Sequence, residues 1–261
     1  MLYALVSDIH ANLAALEAVL EDARRFGVDY DHIICLGDVV GYGPQPAECV
    51  DIAEKFRITI CGNHDWAVIH EPLGFNRVAR AAIMWTKSVM KPHFYDLVGA
   101  KRRRFRWLEN LPKSYRDGDV LYVHGSPRSP IDEYVLRSDL DEILYEMTPK
   151  LRENFEKTPW VSFCGHSHIP VILTDQPRYL DPKEYVGTEL KLKDNHKYII
   201  NIGSVGQPRD RDPRACYVLF NDGDFTVRYR RVEYDIEKTV SLIRGTEELD
   251  EVVGERLKIG H

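Results

Sequence analysis

The chain has 261 residues, 44% of them hydrophobic and 29% charged, with a net charge of −6. That length is ample for a sizeable core, and the acidic balance argues against a general nucleic-acid binder, which carries a basic excess. Five cysteines and no Cys-x-x-Cys spacing point away from a disulfide framework and toward a reducing, cytoplasmic setting.

In chain order, "LYALVS" (2–7) is a short apolar run of β-prone composition. It reads as a first core strand and not as a signal peptide, because no charged n-region and long apolar stretch open the chain. No window approaches a membrane span. Residues 11–26 predict a helix, with Leu13, Leu16, Leu20 and Ala23 at helical spacing and Asn12 as N-cap. "HIICLG" (32–37) is a second strand, 46–56 a helix opened by Pro46, and "ITIC" (58–61) a third strand. Strand–helix–strand–helix–strand predicts parallel pairing in a covered sheet.

From Asn76 to about Leu111 the pattern turns helical, with Ala81, Ala82, Trp85, Val89, Phe105 and Leu108 as core positions. This helical insertion is expected to overhang the strand ends. Its run "KRRRFRW" (101–107) reads as a solvated helix face, and Phe75 and Trp85 read as core in preference to stacking platforms. A strand follows at 119–125, a helix at 138–156 and a strand at 160–166. The remainder is strand-rich, at 169–174, 185–192, 197–202, 216–221 and 225–234, with a hairpin signal "NDG" at 221–223. A helix interrupted near Gly245 closes the chain over 235–258. The expected organisation is one domain, 1–261, with two sheets sharing a core and helices outside.

Polar groups gather where these strands end. The first ends in "SDIH" with Asp8 and His10, the second in "LGD" with Asp38, and the third in "CGNHD" with Asn63, His64 and Asp65. "YVHG" brings His124, and "CGHSH" brings His166 and His168. Histidines at i and i+2 of an extended chain point to one side. Taken singly, Asp8 or Asp38 could cap a helix, Asn63 could hold a turn and His124 could be a satisfied core residue. Five strand ends that all deliver oxygen or nitrogen donors are poorly explained that way. The set holds no cysteine. It suits divalent ions such as Mn²⁺, Fe or Zn²⁺, with donors enough for two and a carboxylate to bridge them. Cys61 and Cys164 read as buried small hydrophobes. His32, His70, His93, His196 and His261 have no motif around them.

The blocks Asp8-Ile9-His10, Gly37-Asp38, Gly62-Asn63-His64-Asp65, His124-Gly125 and Gly165-His166-Ser167-His168, in this order, resemble the calcineurin-like metallophosphoesterases. The resemblance implies an α/β, four-layer αββα sandwich, with two mixed sheets flanked by helices, the metallo-dependent phosphatase fold. It implies two divalent metal ions, Mn²⁺ first and Fe, Zn²⁺, Ni²⁺ or Co²⁺ as alternatives. Asp8, His10 and His168 would hold one ion, Asn63, His124 and His166 the other, and Asp38 would bridge. His64 would face the leaving group as the catalytic residue. Two ions can acidify a bridging water and clamp phosphoryl oxygens during in-line displacement. Hydroxide then attacks phosphorus with no protein nucleophile. An imidazole so placed can protonate the departing oxygen.

Departures narrow the resemblance. The protein Ser/Thr phosphatase branch carries Gly-Asp-x-x-Asp-Arg-Gly and Gly-Asn-His-Glu, whereas this chain has "GDVVGYG" and "GNHD". Gly41 and Tyr42 stand where that branch has an Asp that steadies the catalytic His and an Arg that grips phosphate. The chain looks closer to the small bacterial and archaeal phosphodiesterase-like members. A small phosphoester substrate, nucleotides included, is expected, with neither a membrane nor long nucleic acid as partner. A protein Ser/Thr phosphatase or a dinucleoside polyphosphate hydrolase is the alternative enzyme, and a non-catalytic metal-binding scaffold the alternative of another class. Ala11 stands where many relatives have Gly. The stretch "NIGSVGQPRDRDPR" (201–214) is either a surface turn or a source of phosphate contacts from Arg209, Arg211 or Arg214, since guanidinium forks suit phosphoryl oxygens. Tyr42 is a further substrate-contact candidate.

Overall fold

The structure is a computed structural model that describes residues 1–93, 96 and 98–261. It opens with β1 (Leu2–Val6), buried at all but its first position. α1 (Leu13–Arg25) follows, and Asn12 caps it by accepting the Ala15 N–H at 3.2 Å. β2 (Ile33–Cys35), α2 (Pro46–Ala53) and β3 (Ile58–Thr59) complete a parallel β1–β2–β3 set. The alternating strand–helix pattern predicted this pairing.

Helical structure then runs through α3 (Asn63–Ile69), α4 (Arg77–Met90) and α5 (Ala100–Glu109). The segment expected to be helical over 76–111 is thus at least two helices, and its residues 94, 95 and 97 lie outside the described residues. The basic run sits on α5 and is more than a solvated face. Arg103 and Arg104 both pair with Asp51 of α2, and Arg103 also reaches Glu54 at 3.0 Å. β4 (Ser114–Asp117) pairs antiparallel with β5 (Val120–Val123); the short polar β4 carries no apolar alternation and is invisible to a periodicity reading.

The helix expected over 138–156 is largely absent. A two-stranded hairpin, β6 (Leu140–Asp141) and β7 (Glu146–Met147), occupies its first half. There the Asp141 carboxylate accepts the N–H groups of Ile143 and Leu144, both at 2.9 Å. Such local side-chain bonds compete with helix. Only α6 (Pro149–Lys157) is α-helical, started by the Thr148 cap and Pro149. After β8 (Val161–Cys164), β9 (Val171–Thr174) and β10 (Arg178–Leu180), the strand expected at 185–192 shrinks to β11 (Leu190–Lys191). A 3₁₀ turn opened by Asp181 and Pro182, then Gly187 at φ 79°, consume the rest. β12 (Tyr198–Asn201), β13 (Ala215–Asn221) and β14 (Thr226–Val232) follow, the last two joined at the predicted hairpin. Gly245 ends α7 (Ile236–Arg244) before α8 (Glu251–Ile259).

The strands form two six-stranded mixed sheets, in the orders β11-β14-β13-β1-β2-β3 and β10-β9-β12-β8-β5-β4. Side chains alternate across each strand, and the alternation builds the layers. Leu5, Ile34, Phe163, Ile200 and Phe220 fill the space between the sheets. Their neighbours Val6 and Ile33 face outward, against Leu16 and Val19 of α1. On the far side Val123, Leu173 and Ile199 pack on Phe155 of α6. The result is αββα. β1 and β2 run parallel, as do β5, β8 and β12, so their C-terminal loops emerge together. Among the described residues no helix is long and apolar enough to cross a membrane.

Candidate metal centre

The loops after β1, β2, β5 and β8 turn sharply. Asp8, His10, Asp38, His166 and His168 have φ between 48° and 66°, in the left-handed region. For residues with a Cβ this costs about 1–2 kcal/mol each, so the surroundings must hold them there. Loop-to-loop hydrogen bonds do so: Asp8 N–H to Gly37 O at 3.0 Å, His10 N–H to Asp38 O at 2.9 Å and Gly206 N–H to Asp8 O at 2.9 Å. Asp65 ties the second loop to the third, accepting the N–H groups of Val40 at 3.2 Å and Gly62 at 3.1 Å. Gly62 allows a close approach, since a Cβ there would lie 2.1 Å from Asp38 Oδ1.

The seven expected ligand residues converge. Donor atoms of Asp8, His10 and His168 form one cluster and those of Asp38, His124 and His166 a second, each within 4.8 Å. Asn63 Oδ1 joins the second, 3.0 Å from His124 Nε2. The Asp38 Oδ2 atom faces both clusters, 3.7 Å from His10 Nε2 and 3.4 Å from His124 Nε2. The pair at 166 and 168 does not act as an extended-chain pair. Its left-handed backbone sends His166 to one cluster and His168 to the other.

Each imidazole is anchored by one nitrogen. Nδ1 of His10, His124 and His168 meets the carbonyls of Val40 (3.3 Å), Leu36 (2.8 Å) and Gln207 (2.6 Å). His166 is reversed, its Nε2 donating to Asp132 O at 3.0 Å. A ring that donates through one nitrogen presents a lone pair on the other. The His10 and His168 Nε2 atoms lie 3.0 Å apart. With both Nδ1 atoms donating, two lone pairs that close call for a cation or a shared proton between them.

Charge leads to the same requirement. Burial holds His10 and His168 well below the ordinary imidazole value, so both are neutral. Burial also works to lower His124, but the Asp38 and Asp8 carboxylates outweigh it and lift His124 to about 9. Asp8 is pushed up to about 7 by burial, with Asp38 adding repulsion. No Lys or Arg forms an ion pair with Asp8 or Asp38 among the described residues. Buried carboxylates are normally paired or metal-bound, and this oxygen–nitrogen donor set fits a divalent ion.

His64 stands beside the two clusters and shares a third grouping with His10 and Asp38. Asp38 Oδ1 accepts its backbone N–H at 2.8 Å. Its ring is caged by Tyr42, His10 and Phe75 at centroid distances of 4.6, 4.8 and 5.0 Å. Nδ1 is buried without a hydrogen-bond partner among the described residues, and a Cβ on Gly41 would lie 2.4 Å from it. Burial lowers its pKa to about 4, against the pull of Asp38. Asp38, Tyr42, His64 and Phe75 line a cleft of about 450 Å³ together with Asp132, Tyr134 and Arg209.

Residues 1–223 match the calcineurin-like phosphoesterase superfamily domain. The chain belongs to that superfamily. It is 37% identical to an uncharacterized protein of Methanocaldococcus jannaschii, over 98% of this chain and 97% of that one. A metallophosphoesterase of Sphaerobacter thermophilus, known from its crystal structure, is 39% identical with a TM-score of 0.81, covering 100% of this chain and 99% of its own. A hypothetical protein of Pyrococcus horikoshii shares the fold at 20% identity, with a TM-score of 0.73 and coverage of 100% and 98%. Family membership makes the metal-dependent phosphoesterase the frame for this cleft.

Within that frame, Arg209 lies at the cleft, its guanidinium 5.7 Å from the Tyr42 ring centroid and hydrogen-bonded to Gln207 Oε1 at 2.6 Å. Arg211 and Arg214 do not line it. Arg214 pairs with Asp212 at 2.7 Å, and the Arg211 backbone bonds to Gly260 at the end of α8. Phe75 is half-buried and lines the cleft as well as packing on the core. Sequence reasoning missed Asp132, Tyr134 and Gln207. None has a motif, and each is brought in by a loop that contacts a histidine ring.

Proposed function

We propose that this protein is a dinuclear-metal phosphoesterase that hydrolyses phosphodiester or phosphoanhydride bonds of small substrates, nucleotides among them. One observation carries the two-ion reading: Asp38 Oδ2 faces both donor clusters, 3.7 Å from His10 and 3.4 Å from His124. In this assignment Asp8, His10 and His168 hold one ion, Asn63, His124 and His166 the other, and Asp38 both. Mn²⁺ is the expected activating ion. Bound there, the ions supply Lewis-acid charge to the phosphoryl group and to the attacking water.

The chain's own residues do the rest. Asn63 is a neutral donor and adds no negative charge near an anionic substrate. Arg209 grips a phosphoryl oxygen from across the cleft, the task an Arg at position 42 performs in the protein phosphatase branch. His64 faces the leaving group and donates a proton or a hydrogen bond to the departing oxygen. Among the described residues no carboxylate hydrogen-bonds the His64 ring, and a Cβ on Gly41 would lie 2.4 Å from its Nδ1. That difference, with a cleft of small-molecule size, favours small diesters and anhydrides over phosphoproteins. Five buried, unpaired thiols fit a cytoplasmic setting.

The test is a Mn²⁺-supported panel of bis-nitrophenyl phosphate, nitrophenyl phosphate, cyclic nucleotides, dinucleoside polyphosphates and a phosphopeptide. The highest kcat/KM is expected on a diester or anhydride. A higher value on the phosphopeptide would return the protein to the protein phosphatase branch. Full metal occupancy with no turnover of any of these would make it a binding scaffold.

A further inference from the structure

Tyr134 has an environment unlike that of an ordinary surface tyrosine. Its ring lies flat on the imidazole of His166, with centroids 4.0 Å apart and planes 6° from parallel. Yet the residue is 44% exposed and lines the cleft. Among the described residues no other ring packs on it. One face is therefore covered by a histidine of the second donor cluster, and among the described residues no ring covers the other.

The backbone that carries the ring is anchored on both sides. Two residues before it, the Asp132 carbonyl accepts from His166 Nε2 at 3.0 Å. Immediately before it, the Glu133 carboxylate accepts from Ser126 Oγ at 2.7 Å and from Arg128 Nε and Asn154 Nδ2 at 2.9 Å. Immediately after it, Val135 is buried in the core beside Leu151 and Phe155. A platform fixed on both sides loses little entropy when a ligand lies on it. Phe75 lines the same cleft.

We propose that Tyr134 is a stacking platform for a planar ring carried by the substrate, a nucleobase or similar heteroaromatic group, next to the phosphoryl position. The proposal rests on the phosphoesterase reading for its phosphoryl end and adds the substrate class. The ring extends the His166–Tyr134 stack by one layer, while Arg209 and the metal ligands take the phosphate. Aromatic–base stacking contributes about 1–3 kcal/mol, so it decides between substrates that share a phosphate and differ in the ring.

Calorimetric titration of the Mn²⁺-loaded protein with AMP and with ribose 5-phosphate isolates the ring. AMP is expected to bind on the order of tenfold tighter or more. Tyr134→Phe should keep that preference. Tyr134→Leu should abolish it and leave the ribose 5-phosphate Kd unchanged. Equal affinity for the two ligands in the unmodified protein would overturn the proposal. So would a Leu variant that loses both ligands equally, which would reduce Tyr134 to a support for His166. A clear AMP preference without hydrolysis of any substrate in the panel would keep the platform and overturn the phosphoesterase reading. Hydrolysis without the preference would do the reverse.

Discussion

Asp38 and His64 are joined through the backbone: Asp38 Oδ1 accepts the His64 N–H at 2.8 Å, while Oδ2 faces His10 and His124. One carboxylate thus sets the distance between the donor clusters and His64. Asp38→Ala removes both connections. We expect elemental analysis to find no more than one Mn²⁺ per chain in the variant, against two in the parent. The kcat should fall by more than the 10–100-fold typical of losing a residue that only orients a ligand. Two tightly held ions in the variant would refute the bridging assignment.

His64→Ala should keep both ions. Its kcat should fall by about 10²–10⁴ on an alkyl phosphodiester and by less on a nitrophenyl ester, whose leaving group needs less protonation. Equal losses on both would assign His64 to charge stabilisation, and loss of metal would make it a ligand. Gly41→Ala offers a gentler probe. Its Cβ would meet His64 Nδ1 at 2.4 Å on a backbone at φ 93°, so it should slow the same alkyl diester while metal content stays at two.

Metal binding should release protons. Without an ion, the Asp38 and Asp8 carboxylates lift His124 to about 9 against burial, and burial raises Asp8, so both groups hold their protons more tightly than ordinary ones. A ligand must shed its proton to bind. Apparent Mn²⁺ affinity should rise as the pH climbs from 6 to 9. Calorimetry in buffers of different ionisation enthalpy should detect net proton release at pH 7. A pH-independent affinity would show that these groups do not bind the metal.

Glu133 gives a pH dependence away from the ligands. Burial resists its ionisation, yet hydrogen bonds from Arg128, Asn154 and Ser126 prevail and pull its pKa down to about 2. Its folded value therefore lies below the 4.5 of an unperturbed glutamate. The stability it contributes is fully present above pH 4.5 and is lost as the pH falls toward 2. Tm should drop through that window, and Glu133→Gln should flatten the drop while lowering Tm at pH 7. A variant with the parent's slope would show that Glu133 is not the group responsible.

Much of this protein was legible from its sequence because the signals were local. β1, β2, β3, α1 and the β13–β14 hairpin were readable because apolar periodicity, the Asn12 cap and the Asn-Asp-Gly turn each act within a few residues. The donor residues were readable because this chemistry needs particular side chains directly after strands, and five such stretches occur in one order. Asp65 was visible in its motif, but its task of tying two loops was not. The hairpin at 140–147 escaped because Asp141 diverts the backbone through side-chain bonds that periodicity does not register. The family resemblance had already divided the donors between two ions, but the physical reason that neighbours part came only from the tertiary structure. The left-handed backbone at His166 and His168 parts neighbours two residues apart, a conformation stable only when other loops hold it. Arg209 was separated from Arg211 and Arg214 by what each meets: the Tyr42 ring at the cleft, the end of α8, and Asp212. Tyr134 had no sequence signal at all. Its flat contact with His166 arises from two loops meeting over a chain separation that no local pattern spans.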